Sequence, residues 1–112
     1  MKFVFLVGAI GWLFTVPAYG ADTDKGKGAY DSRCAFCHGK GGKGDGPAGK
    51  ALKPPPPDFT SATFWKDTTP DHIKDVIEHG KPNSAMMGFK NSLTNEQIAD
   101  LLAYLETLKP KP

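Results

Sequence analysis

The sequence predicts an all-α domain of three or more helices joined by long irregular loops. Three helical segments can be placed, two of which carry an apolar face together with helix start and stop signals, whereas no stretch of useful length alternates apolar and polar residues as a strand would. The 112 residues also include 13 glycines and 10 prolines, which place much of the chain in loops. Three helices with so much loop leave the middle of the predicted domain unfilled.

Residues 1–20 are interpreted as a secretory signal peptide. Lys2 supplies a positive start, residues 3–16 form an apolar run, and Pro17 with the small residues after it suits a cleavage site. A retained membrane anchor is the alternative, but the run is shorter than the ~18–20 residues that span hydrocarbon. We therefore expect export and cleavage, which leaves residues 21–112 as one small domain.

The first predicted helix covers residues 24–33 and leads directly into two cysteines. Gly26 and Gly28 weaken it, because a glycine inside a helix costs ~1 kcal/mol, and they therefore indicate a packing requirement. Gly26, Tyr30 and Cys34 are spaced so that they share one helical face.

The second predicted helix begins after Thr69, which suits the N-cap, with Pro70 at the first helical position and Gly80 able to close it. Its apolar stripe consists of Ile73, Val76 and Ile77.

The third predicted helix has the strongest signals. Thr94 and Gln97 form a capping box at its start, and Pro110 stops it. One face is apolar, with Tyr104 at its edge, and comprises Ile98, Leu101, Leu102, Leu105 and Leu108.

Residues 39–67 are predicted to be irregular. Four consecutive prolines at 54–57 favour an extended polyproline conformation and exclude helix there. A loop of this length inside a compact domain needs something to organise it, and Phe59, Phe64 and Trp65 need a surface on which to pack.

The charge is balanced overall and uneven along the chain. Residues 21–112 carry 13 basic and 12 acidic groups, a net of +1 that argues against nucleic acid as a partner. Residues 25–53 carry seven basic and two acidic groups, a local net of +5, whereas residues 54–112 have a net of −2. The basic segment is either a docking face for an acidic protein or an ordinary solvated surface.

The sequence "CAFCH" at residues 34–38 has the spacing that attaches c-type haem. Cys34 and Cys37 lie about one helical turn apart, so their sulfurs can reach the two vinyl groups on one porphyrin edge, and His38 can then serve as the proximal iron ligand. A zinc site lacks a second ligand pair, since His72 and His79 are seven residues apart. A redox disulfide would be expected within a βαβ pattern, which is absent from the sequence.

Several segments together resemble a small bacterial class I c-type cytochrome with one haem and His/Met ligation. They are "GKGAYDSRCAFCHG", "GDGPAG", "DFT", "SAMMGFK" and "LTNEQIADLLAYL", and the resemblance covers residues 22–109. It implies the cytochrome c fold, in which helices surround one haem attached covalently through two thioethers. It also implies that the first and last helices cross, with the face of Gly26 and Tyr30 and the side chain of Tyr104 at the crossing.

A low-spin haem iron needs a second axial ligand, and the candidates are Met86, Met87, His72 and His79. Taken from the residues alone, the methionines could equally be apolar filler, and the histidines suit a solvated surface. The resemblance implies Met86, because the family pattern of a small residue, Ala, Met, Pro, any residue and Phe maps onto residues 84–89. The sequence departs from that pattern at Met87, where proline is usual.

Two further residues have expected roles. In the family, a proline carbonyl after the haem motif accepts the N–H of the ligand histidine, and Pro47 is the nearest match. Trp65 either donates its indole N–H to a haem propionate or belongs to the core.

The resulting expectation is a soluble, monomeric, periplasmic one-electron carrier that exchanges electrons with protein partners and makes or breaks no substrate bond. A haem peroxidase or gas-ligand sensor is one alternative, although Arg33 is the single arginine available for such a site. A small cytochrome subunit of a larger oxidoreductase is another.

Overall fold

The computed structural model describes residues 20–112, which contain helices and no strand, as predicted. The helical segments are α1 (Thr23–Arg33), α2 (Ala35–His38), a 3₁₀ turn (Gly49–Ala51), α3 (Ala62–Asp67), α4 (Pro70–His79) and α5 (Asn95–Thr107). The predicted signal peptide lies outside the described residues, apart from Gly20. Within residues 20–112, none of the helices is both long and apolar enough to cross a bilayer.

Helix α1 follows the prediction to within one residue. Its N-cap is Asp22, whose carboxylate accepts hydrogen bonds from the N–H groups of Asp24 and Lys25 at 3.0 and 3.1 Å. The N–H of Asp22 donates to the Asp100 carboxylate at 2.8 Å, so the start of α1 is joined to α5.

Helices α1 and α5 pack closely where Gly26 faces Asp100. A Cβ on Gly26 would overlap the backbone carbonyl of Asp100, so only glycine permits this approach. The Tyr30 and Tyr104 rings meet next to it, with centroids 5.1 Å apart and planes inclined by 53°. The predicted crossing is therefore present. Tyr104 is only 9% exposed, so it lies closer to the centre of the buried face of α5 than the predicted position at the edge of that face.

Helix α4 has the predicted caps. Thr69 Oγ1 accepts from the His72 N–H at 3.1 Å, and Pro70 occupies the first turn. The chain leaves the helix at Gly80, whose φ of +78° favours glycine and whose N–H donates to the Val76 carbonyl at 2.8 Å. Ile73 and Ile77 are buried.

Helix α5 has the predicted capping box. The Gln97 N–H donates to Thr94 Oγ1 at 3.1 Å, and the Thr94 N–H donates to the Gln97 side chain at 2.9 Å. The buried side chains of this helix are Ile98, Leu101, Tyr104 and Leu105.

The prediction that residues 39–67 are wholly irregular was wrong, because residues 49–51 and 62–67 are helical. Neither segment has a side-chain N-cap bond, although Ser61 occupies the N-cap position of α3. Phe64 and Trp65 of α3 instead pack against Phe59, and the Trp65 indole donates to the Phe59 carbonyl at 2.7 Å. Tertiary contacts thus organise this part of the chain.

Candidate haem site

The cysteine motif lies at the junction of α1 and α2. Cys34 is the residue between the two helices, and Cys37 and His38 belong to α2. The His38 N–H donates to the Cys34 carbonyl at 2.9 Å, which forms one helical turn across the motif. The buried Tyr30 hydroxyl donates to the Gly39 carbonyl and ties the end of the motif to α1. Burial raises the pKa of Tyr30, so this hydroxyl stays protonated as a donor.

A cavity of about 700 Å³ adjoins this motif. Its size lies within the ~300–1,000 Å³ typical of ligand and cofactor sites. Most of its lining is apolar, and the ionisable side chains that line it besides those of the motif and Tyr30 are Arg33, Asp67, His72 and Lys81. The lining combines the haem motif with α3, α4, α5, the prolines at 54–57 and the loop at 84–87. The predicted site residues Cys34, Cys37, His38 and Met86 all line this one cavity.

His38 is held in a largely apolar environment. Its ring stacks on the Phe59 ring with centroids 4.9 Å apart and planes inclined by 18°. Burial lowers the pKa of His38, which favours the neutral imidazole that a metal requires. Among the described residues, Nδ1 of His38 is the buried side-chain nitrogen or oxygen atom that has no hydrogen-bond partner.

The expectation that the Pro47 carbonyl accepts a bond from His38 was wrong for this structure, since His38 Nδ1 has no partner. Pro47 itself is exposed.

The two cysteines are free and half-buried. Burial raises the pKa of the Cys34 thiol to about 11, with Arg33 opposing that rise in part. The thiol is therefore protonated at neutral pH and is poorly suited to redox catalysis, which needs a thiolate. No group of three or more His, Cys, Asp or Glu side chains suitable for a metal ion occurs within residues 20–112, which also disfavours the zinc alternative.

The methionine loop, residues 81–89, is fixed to the end of α4 by backbone hydrogen bonds. The Phe89 N–H donates to the Ile77 carbonyl at 2.8 Å, and the Lys81 N–H donates to the Met86 carbonyl at 3.2 Å. Both methionines line the cavity, but Met86 is half-buried whereas Met87 is 66% exposed. The loop thus presents one methionine from within the fold and one from its surface.

The two other candidate ligands lie at the surface. His72 is exposed at the cavity wall. His79 is outside the cavity lining, where Nδ1 lies 3.0 Å from the Asp75 carboxylate. Trp65 also lies outside that lining, and its indole N–H is already used by the Phe59 carbonyl, so its role is in packing.

Sequence reasoning did not identify two residues that shape the site. Phe59 covers His38, and Phe36, inside the motif, lines the cavity while remaining 67% exposed. The sequence shows that Phe59 closely follows the four prolines, in "PPPPDF", but it does not show which aromatic ring the Phe59 side chain contacts.

Helices around an apolar cavity, with a haem-attachment motif and a methionine loop in its lining, define a c-type cytochrome domain. Residues 21–105 match the sequence profile of the family described as cytochrome c oxidase, cbb3-type, subunit III, and the chain belongs to this family. Membership identifies it as a haem-binding, electron-transfer domain.

Individual relatives agree with the family. Over 86 residues the chain is 34% identical to a nicotinate dehydrogenase subunit from Pseudomonas putida, a match that covers 71% of this chain and 7% of that protein. A chain of the Kuenenia stuttgartiensis reducing HAO-like protein complex is 30% identical with a TM-score of 0.66, covering 81% of this chain and 47% of that one. Dihydro-heme d1 dehydrogenase NirN in complex with DHE is 27% identical with a TM-score of 0.59, covering 79% of this chain and 16% of that one. The chain therefore spans less than half the length of each.

Proposed function

We propose that residues 21–112 form a soluble one-electron carrier of the bacterial periplasm with one haem c. The haem is attached through thioethers at Cys34 and Cys37, and its axial ligands are His38 and Met86. The observation that carries the proposal is that all four of these side chains line the same cavity of about 700 Å³. The bound haem supplies the Fe(III)/Fe(II) couple.

The protein side chains would hold and tune this couple. The cysteines fix one porphyrin edge, and the neutral His38 imidazole supplies a nitrogen ligand. A thioether from Met86 raises the reduction potential relative to a second imidazole. The apolar lining excludes water, which disfavours the more highly charged oxidised state.

A second candidate function is that of a small cytochrome subunit in a larger oxidoreductase. It is favoured by the curated relative, of which this chain matches only 7%, and by a structural neighbour that belongs to a protein complex. The electron-transfer chemistry is the same in both cases. Size-exclusion chromatography of the protein from its native host distinguishes the two functions, because a free carrier elutes at the size of the domain and a subunit elutes at the size of the complex.

The charge distribution supports docking of an acidic redox partner on the basic segment, residues 25–53. Arg33 of this segment lines the cavity, so positive charge reaches the cavity wall. The exposed side chains of Phe36 and Met87 add apolar surface there. A charged rim around an apolar contact suits an electron-transfer encounter, which must be fast and transient.

The proposal is tested by exporting the protein in a host with haem-maturation machinery. We expect the mass of the secreted chain to include one covalent haem, and the visible spectrum to be that of a low-spin c-type cytochrome with one reversible one-electron wave. A Cys34→Ser, Cys37→Ser double variant is the control and should carry no covalent haem. A wild-type mass without tetrapyrrole, or rapid carbon monoxide binding to the reduced protein, would overturn the carrier assignment.

A further inference from the structure

We propose that a groove between α3 and the chain segment after α5 is a second docking surface, and that its partner is an acidic segment of another protein. The groove has a volume of about 210 Å³. Its lining consists of Ala62, Trp65, Lys66, Lys109 and Pro110. None of these residues lines the candidate haem cavity, so the inference goes beyond the proposed function and does not depend on it.

Helix α3 separates the groove from the haem cavity. Its side chains form two sets, one at each site. The cavity set is Thr63, Phe64 and Asp67, and the groove set is Ala62, Trp65 and Lys66. At about 100° per residue, each set occupies an arc of about 100°, and the two arcs lie on opposite sides of the helix. A partner seated in the groove would therefore contact the side of α3 that faces away from the cavity.

The charged side chains that line the groove are both lysines. Lys66 and Lys109 are exposed, and neither forms an ion pair with a carboxylate within residues 20–112. They belong to residues 54–112, whose net charge is −2, so the fold gathers positive charge here in an otherwise acidic part of the chain. Carboxylates are the protein groups that complement two ammonium groups beside one groove.

Trp65 supplies the aromatic surface of the groove. It is half-buried, and its indole N–H donates to the Phe59 carbonyl at 2.7 Å, which holds the ring in place. The Lys109 ammonium lies 5.8 Å from the centroid of this ring, within the range of a cation–π contact. A fixed ring with a cation already held beside it loses little conformational entropy on binding. Tryptophan is also enriched among the side chains that dominate binding energies at protein interfaces.

The size of the groove favours a protein partner over a small molecule. Sites for small molecules usually have volumes of ~300–1,000 Å³, and this groove is smaller. Acidic side chains of a neighbouring protein suit it, with their carboxylates at the two lysines and their aliphatic carbons against Trp65 and Pro110. Such a contact would anchor the domain to a partner on the side of α3 away from the haem cavity.

The test is an NMR titration of the reduced holoprotein with a hexaglutamate peptide. Trp65 is the one tryptophan within residues 20–112, so its indole N–H gives a single signal that reports on the groove. We expect this signal and the amide signals of Lys66 and Lys109 to shift together, with one dissociation constant. A hexaglutamine peptide is the uncharged control and should leave these signals in place.

A matched pair of double variants tests the two lysines at an ionic strength of about 0.1 M, where charges more than ~10 Å apart are largely screened. Lys66→Glu with Lys109→Glu should weaken peptide binding at the indole signal at least about tenfold, because two attractive charges become repulsive. Lys40→Glu with Lys43→Glu makes the same change in net charge within the basic segment, residues 25–53, and should weaken it less than about threefold. All four lysines are exposed, so both variants should keep the wild-type fold and visible spectrum.

Three results would overturn the inference. They are an unshifted indole signal, equal weakening in the two double variants, and shifts confined to residues 25–53. Shifts that depend on protein concentration without peptide would assign the groove to a second copy of this chain, and would overturn it as well. In all of these cases a chain that carries covalent haem leaves the proposed function intact. A chain without haem would instead remove the proposed function, and the titration would still decide this inference.

Discussion

Two adjacent methionines differ in how the fold presents them. Met86 is half-buried, its N–H donates to Ser84 Oγ at 3.2 Å, and its carbonyl accepts from Lys81. Met87 is 66% exposed. A thioether that is already enclosed and backed by a hydrogen-bonded turn loses less conformational entropy when it binds a metal than an exposed one. This difference favours Met86 as the ligand.

We expect Met86→Ala to lower the reduction potential and to open a coordination position, because the thioether that favours the reduced iron is lost. Potentiometric titration measures the first effect, and carbon monoxide binding to the reduced protein measures the second. Met87→Ala is the matched control and should retain the wild-type potential and resist carbon monoxide. The reverse result would assign the ligand to Met87.

At the scale of single residues, the sequence supports some proposals better than others. The roles proposed for Cys34, Cys37 and His38 follow from their local spacing alone. The stacking of Phe59 on His38 joins residues 21 positions apart, and its geometry depends on how residues 39–58 fold between them. The same dependence made the Pro47 prediction wrong.

At the scale of secondary structure, the crossing of α1 and α5 sets the position of the haem motif in the fold, because the motif directly follows α1. The contact is so close that a side chain at Gly26 would meet the α5 backbone, whereas a Cβ at Gly28 would meet nothing within 4 Å. The helix contact therefore requires glycine at position 26 but not at position 28. Substitutions at these two positions form a matched pair.

We expect Gly26→Ala to destabilise the holoprotein by about 1–3 kcal/mol, because the helices must move apart to accept the methyl group. Gly28→Ala should stabilise it by roughly 0.5–1 kcal/mol, since alanine is the better helix former at an open position. Guanidinium unfolding followed by circular dichroism measures both free energies. Equal effects of the two substitutions would show that helix propensity alone governs α1.

The helices that the sequence predicted are those with side-chain caps. Thr69 and Thr94 place the starts of α4 and α5 correctly because a cap bond is made within three residues. Helices α2 and α3 have four and six residues and no side-chain cap bond, so contacts with other parts of the fold stabilise them. Those contacts join residues that are distant in the sequence, so a local sequence pattern does not predict them.

At the scale of the whole molecule, the apolar core is divided between a helix crossing and a cavity wall. Tyr30 and Leu101 belong to both, since each is buried among protein side chains and also lines the cavity. Ile73, Ile77 and Leu105 also line the cavity from α4 and α5. A cofactor that filled this volume would complete the apolar core of this loop-rich domain and stabilise its folded state.

The net charge and the local charge of the molecule predict different kinetics. The net charge of +1 over residues 21–112 would attract a distant anion only weakly. The local net charge of +5 over residues 25–53 would attract an anion more strongly once it approaches the haem motif. The Debye length is ~8–10 Å at 0.10–0.15 M ionic strength, so such local attraction is strongly screened there.

We expect the reduced protein to be oxidised by ferricyanide several-fold more slowly as ionic strength rises from about 0.01 to 0.15 M. Lys53→Glu should slow this reaction at low ionic strength, because Lys53 is exposed and lies between Leu52 and Pro54 of the cavity lining. Lys111→Glu makes the same change in net charge beyond α5 and should retain the wild-type rate. Stopped-flow absorbance gives the rates. Equal slowing by both variants would mean that net charge governs the encounter, and a rate independent of ionic strength would exclude a basic docking face.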